Sequence, residues 1–211
     1  MLELNAEDGG KRQFILVQIP QLLDISNCQS GKEKKITQAS IKYLEKNNLP
    51  TNISEISKER IRLASVKIKE ETKADIDYGF RVYKIDSSNM KDIYYIPNEI
   101  KQSQLGMFES NIKEDRSSED LLTQIILDLG LTLDLKIEEK NILNNKVYFV
   151  DENSLIACFD DEININVVDE ICRCNPLRVV FKDESFKFDN DKINLQERFN
   201  KLSPNTEISI L

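Results

Sequence analysis

The sequence predicts an α/β protein: one βαβ unit followed by a small mixed α/β domain. Three observations lead there. Phe14-Ile15-Leu16-Val17-Gln18-Ile19 is a nearly continuous apolar run, the mark of a strand buried on both faces, as parallel strands are. From residue 53 onward, Ile53, Ile56, Ile61, Leu63, Ala64, Val66 and Ile68 keep an approximate helical spacing. Residues 79–85 then alternate apolar and polar, as a half-buried strand does. Strand, crossover helix and strand make a βαβ unit, for which a parallel, right-handed arrangement is expected.

The elements follow in chain order. Asn5-Ala6-Glu7-Asp8-Gly9-Gly10 reads as a helix end and turn. The strand of residues 14–17 closes at Gln18. Residues 22–50 are polar and irregular, with one helix expected near 37–47. Pro50-Thr51-Asn52 opens the helix from residue 53 to about residue 71. Asp86-Ser87-Ser88-Asn89 ends the second strand with turn chemistry. Residues 90–117 read as a linker, so the domains are set at 1–112 and 113–211. In the second domain, Ser118-Glu119-Asp120 starts a helix that Gly130 ends. Residues 131–137, 147–151 and 155–159 are expected strands, with Glu152-Asn153 as a hairpin turn. A helix near 165–172, a strand at 178–181, an amphipathic helix at 191–202 and a strand at 207–211 complete the domain.

Composition excludes several functions. The 211 residues carry 37 acidic and 29 basic side chains, a net charge of −8, so the average surface does not attract nucleic acid. Any contact with phosphate needs a local basic patch, and the first 70 residues hold the densest one. There is no histidine, which removes Ser-His and Cys-His catalysis. Cys28, Cys158, Cys172 and Cys174 lack the four-ligand pattern of structural zinc, so no metal site is expected and reduced thiols are. Asp160-Asp161-Glu162 and Asp189-Asn190-Asp191 do not have calcium-loop spacing and fit helix starts instead. No apolar run approaches the roughly 20 residues of a membrane span, and the N-terminus is not a signal peptide. A cytoplasmic protein without membrane contact is the expectation.

The helix from residue 53 carries Lys58, Arg60, Arg62, Lys67 and Lys69. Two readings stand for this face: Lys58, Arg60 and Arg62 contact DNA phosphates, or they are solvated and paired with Glu55, Glu59, Glu70 and Glu71 on the same helix.

Three segments together resemble one family, the methylating (Mod) subunits of type III restriction-modification enzymes. The first is Leu4-Asn5-Ala6-Glu7-Asp8-Gly9-Gly10-Lys11-Arg12-Gln13-Phe14-Ile15-Leu16-Val17-Gln18. The second is Ile53-Ser54-Glu55-Ile56-Ser57-Lys58-Glu59-Arg60-Ile61-Arg62, followed by Gly79-Phe80-Arg81-Val82-Tyr83-Lys84-Ile85-Asp86-Ser87-Ser88-Asn89. The third is Arg178-Val179-Val180-Phe181-Lys182-Asp183-Glu184-Ser185-Phe186 with Asp191-Lys192-Ile193-Asn194. They fall in the family's order and span nearly the whole chain.

The resemblance implies that the βαβ unit is the remnant of a doubly wound methyltransferase sheet. It implies a parent enzyme that methylates adenine N6 in DNA with S-adenosylmethionine, alongside a second Mod subunit and a restriction (Res) subunit. The family's catalytic Asp-Pro-Pro-Tyr and its Phe-x-Gly-x-Gly cofactor loop do not occur here: no two prolines are adjacent, and no Gly-x-Gly exists. No catalytic residue is therefore assigned, and the chain alone is expected to bind no cofactor. Doubly wound sheets bind cofactors at the carboxyl ends of their strands. Those ends are Gln18, where the family places an acid for the ribose hydroxyls, and Asp86 with Ser87. For each, the alternative is local: Gln18 ends a strand, and Asp86-Ser87 satisfies its own turn. Gln21 also stands where the family often has an acid.

Three functions follow. The chain is a subunit-assembly module, docking on a second Mod subunit or the Res subunit, or forming a homodimer. Alternatively it is an active DNA adenine methyltransferase once completed by the missing N-terminal part. A third possibility is a downstream remnant of a disrupted gene.

Overall fold

A computed structural model describes residues 1–91, 111–186 and 189–211. The chain forms two compact units, Met1–Lys84 and Ile85–Leu211.

The first unit is helical. Helix α1 (Leu2–Asp8) ends at Gly9, whose φ of 69° is the left-handed stop foreseen in the sequence. Helix α2 (Gly31–Lys46) starts on a capping box in which Ser30 and Glu33 satisfy each other's backbone N–H groups. It begins six residues earlier than the expected 37–47, because Ser30 supplies the cap. Helix α3 (Ile53–Thr72) starts on Asn52, whose side chain accepts from the Glu55 N–H at 2.9 Å. Leu22 and Asn52 form an isolated antiparallel bridge. Buried Asn5 holds the chain after α1: its amide donates to the Arg12 carbonyl and its carbonyl accepts from the Arg12 N–H.

The two strands predicted in this unit do not form. Residues 14–19 and 81–85 belong to no sheet among the described residues. A strand needs a partner for its N–H and C=O groups, and a run apolar on both faces needs cover on both. This unit offers neither. Ile15, Leu16, Val17 and Ile19 stand 82%, 64%, 93% and 79% exposed.

The second unit is a mixed α/β domain around one five-stranded sheet, ordered β1-β2-β3-β4-β5. β1 (Ile137–Ile142), β2 (Asn145–Val150) and β3 (Leu155–Cys158) form an antiparallel meander. β3, β4 (Arg178–Phe181) and β5 (Glu207–Ile210) run parallel. Helices α5 (Ile165–Arg173) and α6 (Asp189–Leu202) make the two crossovers. α4 (Ser118–Asp128), capped reciprocally by Ser117 and Asp120, precedes the sheet.

Alternation along the strands decides the layering. Val147, Phe149, Ile156, Cys158, Val179 and Phe181 pack with Val167, Ile171, Leu195 and Phe199 from α5 and α6. Tyr148, Val150, Leu155, Ala157 and Val180 face the other way, onto Leu121, Leu122, Ile125 and Ile126 of α4. Helices thus cover both faces, as parallel strands require.

Most expected elements of this unit appear within two residues of their predicted ends. The exception is the strand expected at 131–137. Leu131, Leu133 and Leu135 instead pack as a loop under the α4 face, and β1 starts at Ile137. The β1–β2 hairpin was not foreseen. Its turn is Leu143-Asn144, both at positive φ (50° and 71°), without the glycine that signals such turns. The sequence division at 112/113 falls inside this unit. Asp86, Ser87 and Asn89 bond to Arg116, Lys113 and α4, and Met90 bridges Ile112. Of the expected linker, residues 92–110 lie outside the described residues.

Candidate functional site

Gln18 is exposed on the unpaired 14–19 run, and its amide donates to the carbonyl of its neighbour Ile19 at 3.0 Å. Nothing in that arrangement pre-orients it toward a ribose.

Asp86 and Ser87 sit in a polar knot of the second unit. The Asp86 carboxylate accepts from the Ser87 N–H at 2.6 Å and from the Arg116 guanidinium at 3.0 Å. Those two bonds, the backbone one foremost, hold its carboxyl below the usual range. Ser87 Oγ accepts from Arg116 at 2.9 Å and from Lys113 Nζ at 3.0 Å. The Arg116 side chain is 10% exposed, with Asp115 Oδ1 at 3.7 Å from its Nε. Next to the knot, Asn89 donates to the Asp120 carbonyl of α4 at 2.9 Å. The turn therefore anchors its segment to the domain. With their polar atoms so engaged, Asp86 and Ser87 do not fit S-adenosylmethionine in this chain by itself, and Gln18 does so no better.

An open cleft of about 700 Å³ adjoins this knot, at the carboxyl ends of parallel β3 and β4. Such ends are where α/β sheets bind ligands. Its cations Lys91, Lys113, Arg116 and Lys182 are matched by Glu114, Asp160, Asp161 and Glu184. Lys182 is held by Glu184 and by Asp161, the latter at 2.9 Å. Asp160 accepts from the Asn145 amide and the Lys146 N–H. The cleft carries equal numbers of the two charges, and its described residues offer no nucleophile–base pair.

The three proposed DNA-contacting residues are placed unequally on α3. Lys58 pairs with Glu55, and Arg62 pairs with Glu59 while its guanidinium lies 5.8 Å from the Phe80 ring centroid. Arg60 is exposed. Two of the three positive charges are thus already neutralised by same-helix glutamates, which favours the solvated reading for that face.

Sequence reasoning passed over one cluster. The Tyr148 hydroxyl donates to Glu119 Oε1 at 2.9 Å, and Lys146 Nζ lies 3.1 Å from Glu139 and 3.5 Å from Glu119. Burial, with Glu119 beside it, pushes the Tyr148 hydroxyl up to about 12. Its signal was the alternation in β2, which sends Tyr148 to the α4 face, where Glu119 sits in the first turn. Burial likewise pushes the Cys158 thiol up to about 12 and that of Cys172 to about 11. Among the described residues no cluster of three or more His, Cys, Asp or Glu could hold a metal ion. No helix of the described residues is long and apolar enough to cross a membrane.

No protein-family model matches the chain, and a search of curated proteins found no match.

Proposed function

We propose that this chain is the C-terminal part of the adenine-specific DNA methyltransferase (Mod) subunit of a type III restriction-modification system, acting as an assembly module. One observation carries the reading. The run 14–19 has the composition of a strand buried on both faces, yet it is unpaired and exposed over consecutive residues. Consecutive residues of a strand point to opposite faces. A flat partner surface would cover only one of them, whereas insertion into another polypeptide's sheet covers both and pairs the backbone. The three family-like segments, in order, support the identity of that polypeptide.

On this reading the missing sheet, the Asp-Pro-Pro-Tyr motif and the cofactor loop belong to the partner, and the first unit completes its fold. S-adenosylmethionine binds the completed enzyme, through the cofactor loop that the partner supplies. The second unit, whose described residues hold no catalytic constellation, presents a rigid platform to the second Mod or Res subunit. The reading also gives a cytoplasmic location.

Calorimetry with S-adenosylmethionine tests it. The chain alone should release no binding heat. The chain mixed with a Mod polypeptide carrying the two missing motifs should bind the cofactor and methylate adenine in duplex DNA. Tight binding by the chain alone, or no complex with that polypeptide, would overturn the reading.

A further inference from the structure

The basic residues of the first unit divide differently from the sequence expectation. Met1–Lys84 carries fifteen Lys and Arg against twelve Asp and Glu; Ile85–Leu211 carries the remaining fourteen against twenty-five. The excess positive charge of the first unit sits on α2, which has five lysines against two glutamates, whereas α3 nearly balances. One of the two glutamates, Glu33, is turned back into the capping box, accepting from the Gln29 and Ser30 N–H groups.

Helical geometry aligns four of the five lysines. At about 100° per residue, Lys32, Lys35, Lys42 and Lys46 fall within about 80° of arc, with Ala39 between them. All four are exposed, and none is ion-paired among the described residues. Thr37, Ser40, Ile41 and Leu44, which are buried or half-buried, lie on the opposite side of the helix. The stripe therefore points directly away from the unit. From Lys32 to Lys46 it spans about 21 Å at 1.5 Å per residue. That length faces about six phosphates of one DNA strand at 3.4 Å per phosphate.

We propose that the α2 stripe Lys32-Lys35-Lys42-Lys46 is a sequence-independent contact surface for the phosphate backbone of duplex DNA. Charge complementarity selects the occupant. Four unneutralised ammonium groups in a line match a linear polyanion, and the one other residue of the stripe, Ala39, has no polar side-chain group to read bases. The choice of duplex DNA rests on the proposed function. The stripe takes over the role expected of Lys58, Arg60 and Arg62, whose helix supplies its own counter-charges.

The test is fluorescence anisotropy of the full chain with a labelled duplex of arbitrary sequence, over a range of salt. Four phosphate contacts give a slope of log affinity against log salt between about −3 and −4, a loss of roughly 100-fold between about 50 and 200 mM. The double variant Lys35→Gln, Lys42→Gln should make the slope shallower by about 2. Lys58→Gln with Arg60→Gln should leave it unchanged. Lys35, Lys42 and Arg60 are exposed, and Gln at position 58 can still donate to Glu55, so circular dichroism should show the same fold in each variant. An unchanged slope in the α2 variant, an equal loss in the α3 variant, or binding to anionic lipid vesicles in place of DNA would overturn the proposal. Failure to bind DNA by a chain that still assembles with the Mod polypeptide sinks the stripe alone. Failure to assemble by a chain that binds DNA sinks the functional reading alone.

Discussion

Val17 and Phe199 show how differently a hydrophobic residue behaves on the two sides of this chain. Phe199 is fully buried between α6 and the sheet, with its ring 6.3 Å from that of Phe181. Phe199→Ala should cost about 3–5 kcal/mol, read as a lowered denaturant midpoint of the second unit. Val17 is almost wholly exposed. Val17→Asp should leave that midpoint where it is and abolish assembly with the Mod polypeptide, measured by co-purification; a destabilised free chain would mean the run is packed internally. Tyr148 sets a pH limit at the same scale. Its hydroxyl titrates near 12 in the fold against an ordinary 10, because burial and Glu119 both favour the neutral form. The stabilisation this represents is complete below pH 10 and is lost as pH rises toward 12. Glu119 works in the opposite direction: the bonds to its carboxylate lower its pKa, so its contribution is present above its ordinary 4.5 and fades as pH falls through the lowered value. A tyrosinate absorbance titration should show a group titrating near 12, and Glu119→Gln should bring it closer to 10.

Among the elements, the second unit was legible because local signals agreed with tertiary demands. Ser118-Glu119-Asp120 marked the start of α4, which Ser117 and Asp120 cap reciprocally; short apolar runs marked β2, β3 and β4; and the α6 apolar positions keep helical spacing. Ser117→Ala should destabilise α4 by about 1 kcal/mol in chemical denaturation. The Leu143-Asn144 turn was not legible, because a leucine at φ 50° is chosen by the register of β1 on β2 and not by its own preference. Leu143 is also largely exposed, so little packing opposes a better turn residue. Leu143→Asn should therefore stabilise the domain by roughly 1 kcal/mol; a loss would mean the leucine packs in a way its exposure hides. Residues 14–19 and 81–85 failed as strands for the reverse reason. Their composition suits strands, but strand formation depends on neighbours that the pattern cannot supply. The candidate site divided in the same way. The Asp86-Ser87 turn was visible in sequence, while its partners Arg116 and Lys113 lie 26 or more residues further on, and only the fold brings them to it.

At the scale of the whole molecule, the two units differ in kind. Among the described residues, Leu44 and Ile68 are the buried hydrophobic residues of Met1–Lys84; all the others belong to Ile85–Leu211. A helical unit with so small a core gains little from burial and leaves its apolar run for a partner. Limited proteolysis should cut within the first unit well before the second, and equal resistance would contradict the contrast. Hydrogen exchange at residues 14–19 tests the central claim most directly. In the chain alone these amides have no sheet partner and should exchange at close to the free rate. On mixing with a Mod polypeptide that carries the Asp-Pro-Pro-Tyr and glycine motifs, they should become protected together with residues 81–85. Slow exchange in the free chain, or no protection on mixing, would contradict the account.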